Sequence, residues 1–298
     1  MDTAEELSEP FKLVMPQDYS ILTDILKHRI PQSGGMYNIV RTLDNLEAEQ
    51  STKCFTLNGD LTSNALLLII IETLDFGQNI STSIPDGFVA DSKIKEALRS
   101  TKIINWKGSY MFVGIERSLS STILDIGSFT FGNTVQLAPT NSYWVDPKIV
   151  ASLEFKELLN QEDADGEEDG ICVRNLDIDQ GTSFMMKNWT YARSEAGLRK
   201  MISNNISAGV YHQGELVTAG MLSSHGMLGP LVTSLPHRRK GYGTKCAQFL
   251  VKEMLRRGLY LISSAAKENV RSIALHLKLM SLTHESDWIF HTAFDSSK

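Results

Sequence analysis

One stretch, GPLVTSLPHRRKGYGTKCAQFLVKEML (Gly229–Leu255), constrains this chain more than any other. Its first residues read as an apolar strand. From about Gly243 onward, Cys246, Phe249, Leu250 and Met254 fall on one side of a helix that ends at Gly258. Arg238, Arg239 and Lys240 stand between the two, directly before Gly241-Tyr242-Gly243. The first turn of a helix exposes unpaired N–H groups and the positive end of its dipole, and glycines let the backbone approach an oxyanion closely. Pro236 has no N–H and helps to end the strand. From Arg238 to Arg257 there are seven Lys or Arg residues against one acid, Glu253, in a chain of net charge −6. The joint reads as an anion cradle.

Three ligand classes use such a joint. A nucleotide P-loop needs G-x-x-x-x-G-K-[ST], which the sequence does not supply. A dinucleotide fingerprint needs a third glycine and an acid after the next strand; GYGTKC lacks the glycine and LYLISSA ends without the acid. The third class is the pyrophosphate arm of coenzyme A.

The rest of the composition narrows the setting. A length of 298 residues predicts two domains, and 42% hydrophobic residues supply cores for both. An acidic chain argues against a general binder of nucleic acid or of anionic membranes. Cys54, Cys172 and Cys246 are odd in number and far apart, which fits reduced thiols rather than a disulfide framework. The longest apolar run, Ala65–Ile71, is too short to span a bilayer and reads as a buried strand. The N-terminus carries acids where a signal peptide carries cations, so the expected location is cytoplasmic.

Gln161–Gly170, QEDADGEEDG, has six acids in ten residues and no large apolar side chain, so it reads as a linker. A calcium loop would need D-x-D-x-D-G spacing and a closing glutamate, which are absent. The expected division is an α/β domain at 1–160 without a cofactor site, the linker at 161–170, and a second domain at 171–298. In the first domain DYSILTDILKHRI and GGMYNIVRTLDNLEA have helical spacing, KCFTLNG, ALLLIIIETL and YMFVGIE read as strands, and Asp91 or Ser92 caps DSKIKEALRST. The residues after ALLLIIIETL, through Gly87, read as a turn region. In the second, EAGLRKMIS is a short helix, and SAGVYH and ELVTAGMLSS form a hairpin about Gln213-Gly214. LYLISSA is a buried strand, and Asn269 caps a last helix, NVRSIALHLKLM.

Arg238-Arg239-Lys240-Gly241-Tyr242-Gly243 fits the [RQ]-x-x-G-x-[GA] signature of the GNAT acyltransferase superfamily. LVTSLP resembles the strand beside the pantetheine in that superfamily, and NVRSIALHLKL resembles its N-x-x-[SA]-x-x-L-Y-x-K segment. Within the superfamily the chain is most similar to the glycine N-acyltransferase-like group, including its insect relatives. The resemblance implies a C-terminal GNAT fold, a mixed and mostly antiparallel sheet flanked by helices. A smaller α/β domain precedes it, expected as a degenerate GNAT-like copy. The implied co-substrate is acetyl-CoA or another acyl-CoA. Backbone N–H groups from Arg238 to Thr244, including those of Arg239, Lys240, Gly241, Tyr242 and Gly243, would hold the pyrophosphate. Leu231 and Val232 would lie along the pantetheine, with Asn269 and Ser272 near the pantetheine or the adenine.

GNAT enzymes transfer the acyl group directly to an amine and often use a tyrosine as the acid for the departing thiolate. His276 occupies that position here, and histidine can donate a proton near neutral pH. The catalytic glutamate of the glycine-conjugating relatives corresponds to Leu228. His225, in the preceding turn, is a candidate base through water, although a turn histidine is more often exposed; Glu215 is expected to be solvated. Two functions follow from the resemblance: an N-acyltransferase acting on a small amine such as an amino acid, or a catalytically weak acyl-CoA sensor with a protein partner. No nucleic-acid or membrane partner and no metal are expected.

Overall fold

The computed structural model describes residues 9–43, 52–74, 77–131, 135–152, 170–192 and 194–291. The acidic segment read as a linker lies outside these residues except for Gly170. The chain forms two compact units, one of residues 1–36, 48–139 and 285–298 and the other of residues 37–47 and 140–284. These units do not follow a single cut in the sequence.

The first unit contains β1 (Phe11–Leu13), α1 (Tyr19–His28), β2 (Thr52–Leu57), β3 (Leu67–Thr73), β4 (Gly77–Ser83), α3 (Ser92–Ser100), β5 (Tyr110–Glu116) and α4 (Arg117–Phe131). The helix α2 (Gly34–Leu43) begins in this unit and continues into the second. Strands β1 to β4 pair antiparallel in order, and β4 pairs with β5 in parallel, Gln78 opposite Tyr110 through Ser81 opposite Val113. The outer partner of β5 comes from the C-terminus: Ser286–His291 of β12 (Ser281–His291) runs antiparallel to it. Leu66, Leu68 and Ile70 share a core with Ile80, Phe112, Leu119 and Ile123. Leu67, Ile69 and Ile71 are buried as well, which explains why β3 is an unbroken apolar run rather than an alternating one.

The second unit contains β6 (Gln136–Trp144, from Thr140 onward), α5 (Pro147–Val150), β7 (Ile171–Arg174), α6 (Ile178–Asn188), α7 (Glu195–Asn204), β8 (Ser207–His212), β9 (Glu215–Leu222), β10 (Leu228–Thr233), α8 (Tyr242–Arg256), β11 (Ile262–Ala266) and α9 (Val270–Leu279). One sheet has the order β10-β9-β8-β7, antiparallel throughout. The strand β11 pairs antiparallel with β6, Ile262 opposite Trp144 through Ala266 opposite Thr140. Cys246, Leu250 and Met254 of α8 are fully buried against Ala208, Val210 and Val217. Truncating a buried leucine or methionine of this kind to alanine costs about 2–5 kcal/mol.

The element order β-α-α-β-β-β-α-β-α-β occurs twice, once from β1 to β6 and once from β7 to β12. The final strand of each series pairs outside its own series, β6 with β11 and β12 with β5.

Most sequence expectations describe local elements that are present, including the Asp91 cap, whose carboxylate accepts the Ile94 N–H at 2.8 Å. The region read as a turn before Gly87 is corrected: Gly77–Ser83 is β4. Its sequence, GQNISTS, has a single large apolar residue, so the periodic signal is missing although six of its seven residues are buried. Gly77 opens the strand with φ +65°, and a Cβ there would lie 2.2 Å from the Ser109 carbonyl oxygen, which accepts the Gln78 N–H. Gly77→Ala is therefore expected to destabilise the protein by roughly 2 kcal/mol or more. Urea denaturation measures this, and a loss below about 0.5 kcal/mol would show that the contact relaxes freely.

Candidate active site

Two strand edges face each other in the second unit. The strand β10 is the last strand of its sheet and β11 is the last of the other ladder. Among the described residues no backbone hydrogen bond joins them. A side-chain bond does: the Ser263 Oγ lies 2.8 Å from the Leu228 carbonyl, near the start of both strands. The register of β10 against β9 slips between Leu228 and Leu231, so a bulge at Gly229-Pro230 breaks the ladder there. Beyond the bulge Leu231, Val232 and Thr233 pair on their other side with Gly220, Ala219 and Thr218. Their remaining backbone groups point along an open edge.

This edge leads to the cation-glycine joint. Pro236 sits in a short turn, Leu235–His237, and the Arg238 Nε–H donates to the Thr233 carbonyl at 3.1 Å. Arg239 and Gly241 both have left-handed backbone, φ +67° and +85°, and Gly241 is the N-cap of α8. The Gly241 carbonyl accepts the N–H groups of Thr244 and Lys245. Among the described residues the N–H groups of Arg239, Lys240, Gly241, Tyr242 and Gly243 have no partner. They form five consecutive donors at the positive end of a fifteen-residue helix. Arg238, Arg239 and Lys240 are exposed and, among the described residues, pair with no carboxylate. The Tyr242 side chain is buried, its ring centroid 5.7 Å from that of His212, so only its backbone faces the joint. An added Cβ at Gly243 would meet Thr233 and Leu231 at 3.6 and 3.8 Å, which brings the helix start against the end of β10.

The expected donor set is narrower at both ends. The Arg238 N–H is directed at the Leu235 carbonyl and the Thr244 N–H at Gly241, so neither is open as the sequence analysis supposed. Asn269 accepts the Ser272 N–H and caps α9, as its position predicted.

His276 differs most from its expected role. Its Nδ1 lies 2.6 Å from the Ser272 carbonyl, which can only accept, so Nδ1 carries a hydrogen. The Ser272 hydroxyl is 3.3 Å from the same nitrogen. Nε2 lies 2.5 Å from the Ser263 Oγ, and the ring stacks on Tyr143 at 4.9 Å between centroids. Burial pushes the His276 pKa below its ordinary value, against a smaller opposing effect of the Ser272 carbonyl. The ring is therefore neutral at pH 7, with its one N–H on its own helix and Nε2 ready to accept. In this state the position expected to supply a proton donor presents an acceptor. Ser263 and Tyr143 are partners that local pattern does not announce: LYLISSA reads simply as a buried strand, and QLAPTNSYW has no clear apolar period.

His225 is buried rather than exposed. Desolvation pushes its pKa down to about 4, which makes it a weak base near neutrality. Glu215 is exposed. Among the described residues no cluster of His, Cys, Asp or Glu could hold a metal ion, and no helix is long and apolar enough to cross a membrane.

Residues 185–280 match the model of the acetyltransferase (GNAT) family. They span the whole cleft, from α6 through the last helix. The second unit carries a GNAT acetyltransferase domain. No curated protein matches the chain. Among solved structures, a Drosophila protein is similar over 96% of this chain and 99% of its own, with TM-score 0.77 and 16% identity. A tandem GNAT protein from the clavulanic acid biosynthesis pathway, solved without AcCoA, covers 96% of this chain and 99% of its own, with TM-score 0.53 and 13% identity. A putative acetyltransferase from Pyrococcus horikoshii covers 100% and 94%, with TM-score 0.54 and 11% identity. At such identities these likenesses speak for the fold, and they do so across both units. GNAT domains take an acyl group from acyl-CoA and deliver it to an amine, so this chain is an acyltransferase with acyl-CoA as its co-substrate.

The buried histidine of the GNAT domain gives stability a definite pH dependence. The folded-state pKa of His225 is about 4, below its ordinary 6.5, so the unfolded chain binds more protons between these values. Its contribution is complete above pH 6.5 and is lost as the pH falls towards 4. His276 and His284, whose pKa values burial also lowers, add in the same direction. Denaturant unfolding at pH 7.5 and pH 5 should show a drop that is smaller in His225→Leu. An equal drop in both proteins would remove His225 as a cause.

Proposed function

We propose that the protein is an N-acyltransferase whose acceptor is a small amine such as an amino acid, in the manner of the glycine N-acyltransferase-like group. The observation that carries this reading is the run of five N–H groups, Arg239 to Gly243, that have no partner among the described residues, beside three exposed cations at the end of an open strand edge. In this reading those N–H groups and Arg238 hold the pyrophosphate of acyl-CoA, Leu231 and Val232 offer their open edge to the pantetheine amides, and Asn269 and Ser272 flank the cleft. Acyl-CoA, when bound, supplies the activated thioester. In this reading the chain before the acidic linker is a degenerate GNAT-like copy, which the repeated element order supports.

His276 enters this reading as a proton acceptor rather than a donor. Nδ1–H is fixed on a carbonyl and Nε2 faces the Ser263 hydroxyl, so the pair can take the proton of an acceptor ammonium through Ser263 and hold it as imidazolium. The two roles predict opposite pH limbs. An acceptor must be neutral, so turnover falls as the pH drops through the His276 pKa, below 6.5; a donor would lose activity as the pH rises. His276→Phe should cut turnover about a hundredfold and remove the acid limb while coenzyme A affinity is kept.

The binding reading is tested directly. Arg238→Glu should lose roughly 1.5–3 kcal/mol of affinity for coenzyme A. Gly243→Val has room in the fold for its Cβ, so any weakening it causes reports on the approach of the ligand. Calorimetry showing unchanged affinity in both variants would sink the assignment. Wild-type protein that binds coenzyme A but consumes no acyl-CoA with any amine would favour an acyl-CoA sensor instead.

A further inference from the structure

The cleft depends on two strands that are tied at one end and, among the described residues, share no bond at the other, and a residue far away in sequence contributes the tie. Asn38, on α2, is fully buried. Its Nδ2 donates to the Gly226 carbonyl at 2.7 Å and to the Tyr260 carbonyl at 2.8 Å, and its Oδ1 accepts the Tyr260 N–H at 2.8 Å. Gly226 lies two residues before β10 and Tyr260 two residues before β11. The neighbouring Tyr37 packs edge-on against the Tyr260 ring, with centroids 4.8 Å apart.

These bonds fix direction as well as distance. Gly226 and Tyr260 meet through Asn38, and further along Leu228 and Ser263 meet through the Ser263 hydroxyl. Advance along one strand is matched by advance along the other, so β10 and β11 run the same way. Both ties lie at their beginnings. Among the described residues none joins Leu231–Thr233 to Ser264–Ala266. An asparagine suits the upper tie because it places two donors and one acceptor on one rigid plane, a set that no apolar or purely acidic side chain offers.

We propose that Asn38 is a positioning residue for acyl-CoA: it sets the spacing of β10 and β11 at the closed end of the cleft, and so the spread of the open edge. The proposal rests on the acyl-CoA reading of that cleft. Asn38 itself touches no reacting group.

The test compares full-length wild type with Asn38→Ala, Asn38→Asp and a control, Ile80→Ala, which removes a buried side chain from the core of the first unit. Asn38→Asp keeps the acceptor for Tyr260 and loses both donors. Calorimetry with coenzyme A should show affinity at least tenfold weaker in both Asn38 variants, and KM for acyl-CoA should rise with little change in KM for the amine. The control, at a comparable loss in Tm, should keep its affinity within about twofold. Amide exchange over 228–233 and 260–266 should be at least tenfold faster in Asn38→Asp than in wild type, with β8 unchanged. Wild-type affinity and unchanged exchange in Asn38→Asp would overturn the proposal, as would an equal loss of affinity in the control. If Asn38→Ala does not fold, the aspartate variant decides. Wild-type protein that fails to bind coenzyme A would instead reject the acyl-CoA reading, and exchange at 260–266 would still decide whether Asn38 ties the strands.

Discussion

Two strands that run side by side without a ladder are the constraint on which the second unit depends. A sheet edge leaves N–H and C=O groups without partners, and buried ones are costly unless something else satisfies them. Here the bulge at Gly229-Pro230 interrupts the pairing of β10 with β9, and among the described residues the direct bond across to β11 is that of a serine side chain. The features from which the acyl-CoA reading is proposed follow from that gap. Among the described residues peptide groups remain open along Leu231 and Val232, and α8 starts at the far end with donors that have no partner. A continuous sheet through the same sequence would bury the edge in a ladder and leave only the helix start to meet an anion.

The first unit shows the alternative within the same molecule. Its β4 and β5 occupy the corresponding places in the element order, but they pair in parallel over Gln78–Ser81 and Tyr110–Val113. Past that ladder the Arg29 guanidinium donates to Ser83 Oγ and to the carbonyls of Ser63 and Ala65. Glu116, half-buried and close to Asp86, has its pKa pushed up to about 7 despite the nearby charge of Arg29. Polar groups that a cleft would leave for a ligand are used here by the protein itself. The chain after β4 also carries Pro85, Asp86 and Gly87 in place of a run of cations, so an anion would meet a carboxylate there. Similar element orders thus reach different chemistry through pairing and through one charged turn.

How far the sequence reveals this follows from the range of the interactions involved. The joint at Arg238–Gly243, the hairpin about Gln213-Gly214 and the caps at Asp91 and Asn269 are set by contacts within a few residues, and local pattern identifies them. The helix α4 was missed because RSLSSTILDIGSFTF is rich in Ser and Thr, and its Gly127 lies against the Tyr110 hydroxyl, where a Cβ would come within 2.5 Å. The exchange of β6 and β12 was beyond local reasoning, since nothing in QLAPTNSYW says that its partner lies more than a hundred residues later. The same limit applies to His276. Spacing puts it on one face with Ser272, but only the fold supplies Ser263 from β11 and Tyr143 from β6, and these decide which nitrogen carries the hydrogen.

Substitution of a histidine for the tyrosine of the family pattern therefore changes more than one side chain. A tyrosine donates through a single hydroxyl, and its ring needs no tautomer to be chosen. A histidine at the same place has two nitrogens that must both be satisfied once buried. The Ser272 carbonyl is always within reach, being one helical turn earlier, so it claims Nδ1–H and leaves Nε2 as an acceptor. The group on the other side must then be able to donate, and the Ser263 hydroxyl can, at the expense of its bond to Leu228. That choice links the proton state of His276 to the Ser263–Leu228 bond, which crosses between β10 and β11. When Nε2 takes a proton it becomes a donor, and the Ser263 hydroxyl is released to the Leu228 carbonyl. His276, Ser263 and Leu228 are thus links in one hydrogen-bond chain, in which the proton on Nε2 decides which neighbour the Ser263 hydroxyl can serve.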